Sequence, residues 1–363
     1  MQRACDVDWS AHRQRWQQWW AGELERPLVI LYRNDPWPQR PTWWSHQLGA
    51  VPDTVGPDEI AAAFADRLTT QWYCGDQYPH VWIDYGPGVV AAALGGTLHA
   101  DGSTTWFGPG IHADTSLAEI ALPALGGPWW DRVQAVTQAC ITRLGTTAVV
   151  GHTDLGGGLD ILASLRGTDD LLYDCMDQPE QIERLAPQIT ERWWQAYLAQ
   201  AAIIEPAGMG TTPWAPIWSP GRCYMLQCDF AYMISPDHFA RFVLPDLASL
   251  CARLDHGFYH LDGKGQLPHL DLLLSLTDLK GVQWIPGDGN PDAADPCWWP
   301  VLRRIRESGK LVQIFTTASR ALRLAREQPT DGFVLALHND LEGIDDDCAV
   351  ALIRQEAERY RRG

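Results

Sequence analysis

The chain has 363 residues, of which 46% are hydrophobic and 20% are charged, a composition typical of a globular protein with a large core. Its formal net charge is −17, and so acidic a surface repels phosphate backbones and anionic membranes, which excludes nucleic acid and membrane as expected partners. The 9 cysteines form no C-x-x-C pair and are odd in number, which argues against a disulfide framework and favours a reducing cytoplasm.

The amino-terminal part of the chain predicts a helix, a buried strand and then a long insertion. Residues 8–25 carry tryptophans at near-helical spacing. The apolar run 28–33 that follows is typical of a strand buried on both faces of a parallel sheet. Residues 35–146 break the alternation with Pro- and Trp-rich loops and a helix over 57–72. We predict that this segment is inserted after the first strand and caps one end of the fold.

Seven further runs predict strands, and helices separate most of them. The predicted strands are 147–154, 208–214, 223–229, 257–262, 281–285, 311–316 and 332–338. The predicted helices are 178–204, a helix beginning at Ser235-Pro236, 298–308, 319–327 and 345–361. Eight strands alternating with helices predict an α/β fold of the (β/α)8 TIM-barrel type, a single domain over 1–363. A doubly wound sheet is the alternative, but no G-x-G-x-x-G follows a strand, and no nucleotide cofactor is expected.

The carboxyl ends of the predicted strands are rich in polar side chains, and the active site of a (β/α)8 barrel lies at those ends. The candidate pocket residues are Arg33, His152, Asp154, Trp214, Cys228, Asp229, His260, Asp262 and His338. Any turn can place a polar residue at the end of a strand, so one such residue is weak evidence for a pocket. The presence of polar residues at most of the strand ends is stronger evidence.

The run 257–263, Gly-Phe-Tyr-His-Leu-Asp-Gly, predicts a short strand that ends at a glycine. Side chains alternate along a strand, so His260 and Asp262 share one face. An imidazole and a carboxylate at this position could bind a metal, exchange a proton or hold a polar substrate. A hydrogen bond of His260 to Asp262 or to nearby backbone is the simpler alternative.

Three segments resemble the uroporphyrinogen decarboxylase superfamily. Residues 27–33 resemble its first strand, which ends in an arginine. Residues 73–95, which open with Y-C-G-D, resemble the block that carries the key aspartate of the family, here Asp76. Residues 228–245 resemble its block of an acidic residue followed by S-P-x-x-F-x-x-F-x-x-P. The superfamily is a (β/α)8 barrel, and it includes decarboxylases and zinc-dependent methyltransferases that take methyl groups from corrinoid proteins.

The resemblance implies a metal site. Those methyltransferases bind zinc through a His-x-Cys at one strand end and a cysteine at the last. The matching positions here are His260, Asp262 and His338, with Asn339 in place of His338 if the register shifts by one. This set could hold zinc or another divalent transition metal with a fourth position open. Nitrogen and oxygen ligands suit water activation better than thiol activation, so the aspartate at 262 argues against thiol methylation. A corrinoid protein is the partner that this branch implies, beside a small-molecule substrate.

We therefore expect an enzyme that performs metal-assisted methyl (group) transfer or lyase chemistry on a small substrate. Asp76, Asp229 and His260 are the expected catalytic residues, Arg33 would pair with an anionic group, and Trp214 would form a wall. A metal-free carboxy-lyase is one alternative, with Asp76 and Arg33 central and His260 as proton donor. A ligand-binding pseudoenzyme is another.

Overall fold

The computed structural model describes residues 2–101, 104–111 and 114–362, and it shows a mixed α/β fold. The other positions of the predicted domain 1–363 lie outside the described residues. The strands are β1 Leu28–Asn34, β2 Gln71–Gly75, β3 His80–Trp82, β4 Thr97–Ala100, β5 Thr105–Gly108, β6 Val149–Gly151, β7 Cys223–Leu226, β8 His256–Asp262, β9 Leu279–Ile285, β10 Leu311–Thr317 and β11 Phe333–His338. The α-helices are α1 Trp9–Trp20, α2 Pro57–Leu68, α3 Val89–Ala93, α4 Pro128–Leu144, α5 Gly158–Arg166, α6 Thr168–Asp177, α7 Pro179–Ile204, α8 Pro236–Phe242, α9 Leu244–Arg253, α10 Leu270–Ser275, α11 Trp299–Glu307, α12 Ala318–Glu327 and α13 Asp346–Arg362.

Seven strands form one sheet in the order β2-β1-β11-β10-β9-β8-β7. Its neighbours are parallel except β1 and β2, which are antiparallel. The strands β3 and β6 form a separate parallel pair, and β4 and β5 form an antiparallel pair. The parallel sheet confirms the α/β prediction, whereas closure of the strands into a (β/α)8 barrel stays a prediction.

The two faces of the main sheet pack against different partners. On one face, side chains of β1, β7, β8, β10 and β11, joined by Val149 of β6, form an apolar cluster with Trp16 and Trp19 of α1. We call this the inner face. The opposite, outer face packs against the helices in a larger apolar cluster. Because side chains alternate along a strand, every second residue of each strand belongs to the inner face.

The predicted strand 208–214 is wrong. Gly208 and Gly210 adopt positive φ values of 66° and 84°, and Pro213 has no N–H to donate to a neighbouring strand. The segment therefore forms no strand, and its backbone contacts include an isolated bridge between Thr211 and Ser219 and a hydrogen bond from the N–H of His152 to the carbonyl of Thr212 at 3.0 Å.

The segment 35–146 contains more regular structure than the sequence predicted. The predicted helix 57–72 ends at Leu68, and β2 begins shortly after it. Both β2 and β3 pair with strands from outside the segment, and α3, α4, β4 and β5 were not predicted. Whether the segment acts as a cap stays a prediction. No described helix is both long and apolar enough to cross a membrane.

Candidate active site

Three side chains that can ligate a metal meet at the carboxyl end of β8. Asp229, His260 and Asp262 each offer one ligand atom, and these atoms all lie within 4.8 Å of one another. His260 and Asp262 lie two and four residues after Phe258 on β8 and so share its inner face, as the strand pattern predicts, and Asp229 follows β7. His260 Nε2 lies 3.9 Å from the carboxylate Oδ2 of Asp262, which is too long for a hydrogen bond.

A buried line of hydrogen bonds fixes the imidazole of His260. Its Nδ1 contacts Oε1 of Gln283, whose Nε2 donates to Oε1 of Gln313 at 2.8 Å. Nε2 of Gln313 donates in turn to the carbonyl of Pro216 at 3.3 Å. Because the line ends at a carbonyl, which can only accept, both amide oxygens accept and Nδ1 of His260 carries the proton. In the neutral imidazole, Nε2 then keeps its lone pair and can act as a metal ligand or a base.

Strand register brings these three side chains into line. His260 is the ladder partner of Gln283, and Gln283 is the partner of Gln313, so all three share the inner face. Both glutamines are fully buried. The sequence reasoning missed them, although each is a polar residue inside an otherwise apolar strand. Such a residue requires a hydrogen-bond partner when it is buried, and that was the available signal.

The loop that carries Asp229 is held by Asp160 of α5. The carboxylate of Asp160 accepts from the backbone N–H groups of Asp229 at 3.0 Å and Phe230 at 2.8 Å. Burial and the charge of Asp229 raise the pKa of Asp160 to about 7, against the effect of these N–H groups. Asp229 is exposed to solvent, yet its pKa is raised. Partial burial is the main cause of the increase; the nearby His260 lowers the pKa, and the charge of Asp262 raises it. The site thus concentrates negative charge, which a divalent cation would offset.

Two other predicted pocket residues lie close to these groups. The ring of Trp214 meets the imidazole of His260 edge to face, with ring centres 5.0 Å apart. Asp154 is buried and accepts from Nε2 of Gln227 at 3.4 Å. Burial is the main reason that the pKa of Asp154 is raised to about 8. A carboxyl group with such a pKa can donate a proton near neutral pH.

Asp76 lies at the opposite end of the sheet from these groups. Its carboxylate is fully buried and accepts from the N–H of Val29, near the amino end of β1, at 3.0 Å. Arg15, Arg26 and Arg354 pair with it at 2.9, 2.7 and 2.7 Å. Burial opposes ionisation of Asp76, but the arginines and the N–H of Val29 hold its pKa far below the usual range. These contacts favour a structural role for Asp76, and the catalytic role that the resemblance implied stays a prediction.

Three predicted substrate-binding residues belong to the outer side of the sheet. Arg33 alternates with the inner-face residues of β1, and its NH1 lies 3.7 Å from the carboxylate of Asp346. His152 is fully buried and stacks on Tyr197 of α7 with ring centres 4.4 Å apart. Cys228 is a buried free thiol within the larger apolar cluster of the outer face. The sequence did not determine which side chains of these strands face inward, and contact of these three with substrate stays a prediction.

His338, the third predicted metal ligand, is not part of the group at His260. It lies at the exposed carboxyl end of β11, separated from β8 by β9 and β10 in the sheet order. Within the described residues, Asp229 completes the group of three instead. The sequence predicted Asp229 in the pocket but not as a ligand, because the predicted ligand positions came from the family resemblance.

No family model matches this chain, and no curated protein matches its sequence. Among solved structures, a methyltransferase from Methanosarcina mazei shares the fold with a TM-score of 0.56 and 13% sequence identity. The match covers 96% of this chain and 99% of that chain. At this identity the likeness shows a shared fold alone, and membership of the uroporphyrinogen decarboxylase superfamily and its methyltransferase-like branch stays a prediction from the resemblance.

Proposed function

We propose that this protein is an enzyme that binds a divalent transition metal through Asp229, His260 and Asp262 and catalyses methyl transfer involving a small polar substrate. The observation that carries the proposal is the convergence of these three side chains, with the glutamine line placing the proton of the neutral His260 ring on Nδ1 and leaving Nε2 as the ligand atom. The fold shared with a methyltransferase supports methyl transfer as the reaction. A corrinoid protein as methyl carrier is part of the proposal.

One imidazole nitrogen and two carboxylate oxygens suit zinc, manganese or iron(II). When bound, such an ion would supply positive charge that polarises a substrate oxygen or lowers the pKa of a water. Gln283 would keep His260 oriented, and Asp160 would hold the loop of Asp229. Trp214 would shield His260 from bulk water.

The carboxy-lyase alternative depends on Asp76 and Arg33 acting together with His260. Asp76 is buried among arginines at the amino end of β1, and Arg33 lies on the outer side near Asp346. Neither position supports contact with a substrate held at His260. Turnover, or its absence, separates the proposed enzyme from the ligand-binding alternative.

The test is methyl transfer by protein that has been stripped with a chelator and then reloaded with zinc, manganese or iron(II). Methylcobalamin serves as donor, with small alcohols, carboxylates and thiols as acceptors. We expect activity only in the reloaded protein, lost in Asp262→Asn and kept in the control His338→Gln. Full turnover after chelation would contradict the proposal, and metal-loaded protein without turnover would favour the ligand-binding alternative.

A further inference from the structure

A cavity of about 270 Å³ opens at the carboxyl ends of β1 and β3. Because β1 is parallel to β8 in the main sheet, the end of the cavity at Asn34 lies at the edge that carries His260, and Gln77, the residue after Asp76, lines the part toward the amino end of β1. Its polar lining includes Asn34, His80, Arg67 and Gln77, and aromatic side chains form much of the rest. His80, Arg67 and Gln77 were not predicted from the sequence to bind a ligand.

Arg67 brings a positive charge into this cavity. Its guanidinium contacts Nδ1 of His46 at 3.2 Å and lies 5.9 Å from the ring of Trp44. In the described part of the chain no carboxylate forms an ion pair with it, and burial lowers its pKa. Asp84, which also lines the cavity, bonds the N–H of Gly86 instead. In a chain of net charge −17, a half-buried arginine without an acidic partner is suited to an anionic ligand.

Gln77 supplies a second, independent observation. It is 6% exposed, and its Oε1 has no hydrogen-bond partner among the described residues. A buried amide oxygen normally accepts a hydrogen bond, so a ligand hydroxyl or amino group would satisfy it. The cavity therefore offers one site for an anion and one for a donor.

We propose that this cavity binds a small carboxylate that also carries a hydroxyl or amino group, with the carboxylate on Arg67 and the donor on Gln77. Its volume lies just below the range of drug-sized sites, which suits a small metabolite. The identification of this ligand as the substrate rests on the proposed function. Arg67 takes the anion-binding role that the sequence suggested for Arg33.

The experiment measures binding of lactate and propionate, with sulfate and phosphate for comparison, by thermal shift and tryptophan fluorescence. Lactate and propionate are similar in size, but only lactate carries the hydroxyl that Gln77 would accept. We expect wild type to prefer lactate, and Arg67→Gln to weaken lactate binding about 10- to 100-fold through loss of a charged hydrogen bond. Arg143→Gln, at an exposed arginine of α4, is the matched control and should bind like wild type.

A second variant provides the test if Arg67→Gln does not fold. Asn34→Asp is nearly isosteric at an exposed position and adds a negative charge to the cavity while Arg67 stays in place. It should also weaken lactate binding. Wild-type lactate affinity in both variants, equal binding of sulfate and phosphate, or no lactate binding by wild type would overturn the proposal. A metal-free wild type that binds lactate would support the cavity and contradict only the proposed function.

Discussion

At the scale of single residues, His260 is oriented by two glutamines of neighbouring strands and not by the aspartate two positions away. The sequence correctly paired His260 and Asp262 on one strand face, but their charged atoms are 3.9 Å apart. The proton position is set by Gln283 and Gln313. Outer hydrogen bonds of this kind orient a ligating histidine and tune its affinity for a metal.

Replacement of Gln283 tests this orientation. Gln283→Leu removes the acceptor for Nδ1–H and should lower metal affinity by about 10- to 100-fold. Competition with a chromophoric chelator measures the affinity. Gln200→Leu is the control, because Gln200 is equally buried but bonds the N–H of Thr153. Equal metal affinity in the two variants would show that the glutamine line does not position the ligand.

At the scale of elements, Asp76 joins three parts of the fold that are distant in sequence. Arg15 belongs to α1, Arg26 precedes β1, and Arg354 belongs to α13. Trp16 of α1 adds a hydrogen bond to the Asp76 carbonyl at 3.1 Å. The aspartate therefore links α1 and α13 to the amino end of the sheet through ion pairs.

Loss of this charge should affect stability and leave the metal site intact. Asp76→Asn leaves three arginines around a neutral side chain, and breaking a buried ion pair costs about 3–5 kcal/mol of unfolding free energy. Urea unfolding measures the change. The same substitution at Asp35, whose ion pair with Arg3 is open to solvent, should cost far less, because solvent screens an exposed pair. Native stability of Asp76→Asn combined with lost turnover would support the catalytic role instead.

The sequence predicted the strands of the carboxyl-terminal half closely because their apolar runs are continuous and end in polar residues. The predicted runs 257–262 and 311–316 differ from β8 and β10 by one residue. It was harder to predict which side chains of each strand face inward, since a shift of one residue exchanges the two faces. Arg33 and His152 were assigned to the pocket for this reason. The short strands β2 and β3 lack an apolar run long enough to reveal them.

At the scale of the whole molecule, two buried histidines make the fold sensitive to acid. Burial lowers the pKa of His12 to about 3 and that of His152 to about 4. In the unfolded chain both should have a pKa near the ordinary value of about 6.5. The unfolded state then binds more protons, so their stabilising contribution is full above pH 6.5 and is lost as the pH falls toward 4 and below.

Urea unfolding at pH 7 and pH 5 tests this dependence. Between its pKa in the folded state and its pKa in the unfolded state, each histidine changes the free energy of unfolding by about 1.4 kcal/mol per pH unit. From pH 7 to pH 5 this amounts to a loss of about 2 kcal/mol for each histidine. His152→Phe can keep the stacking on Tyr197 without a titrating group, so its loss of stability on acidification should be about 2 kcal/mol smaller. His99→Gln, at an exposed histidine, should behave like wild type. An unchanged pH dependence in His152→Phe would contradict the account.

The central claim is that Asp229, His260 and Asp262 form a metal site and that His338 lies outside it. Elemental analysis of reloaded wild type, Asp229→Asn, His260→Ala and His338→Gln, purified in parallel, tests it most directly. The account predicts one transition-metal ion per chain in wild type and His338→Gln, and little or none in the other two variants. A metal-free wild type, or metal lost in His338→Gln and retained in Asp229→Asn, would contradict it.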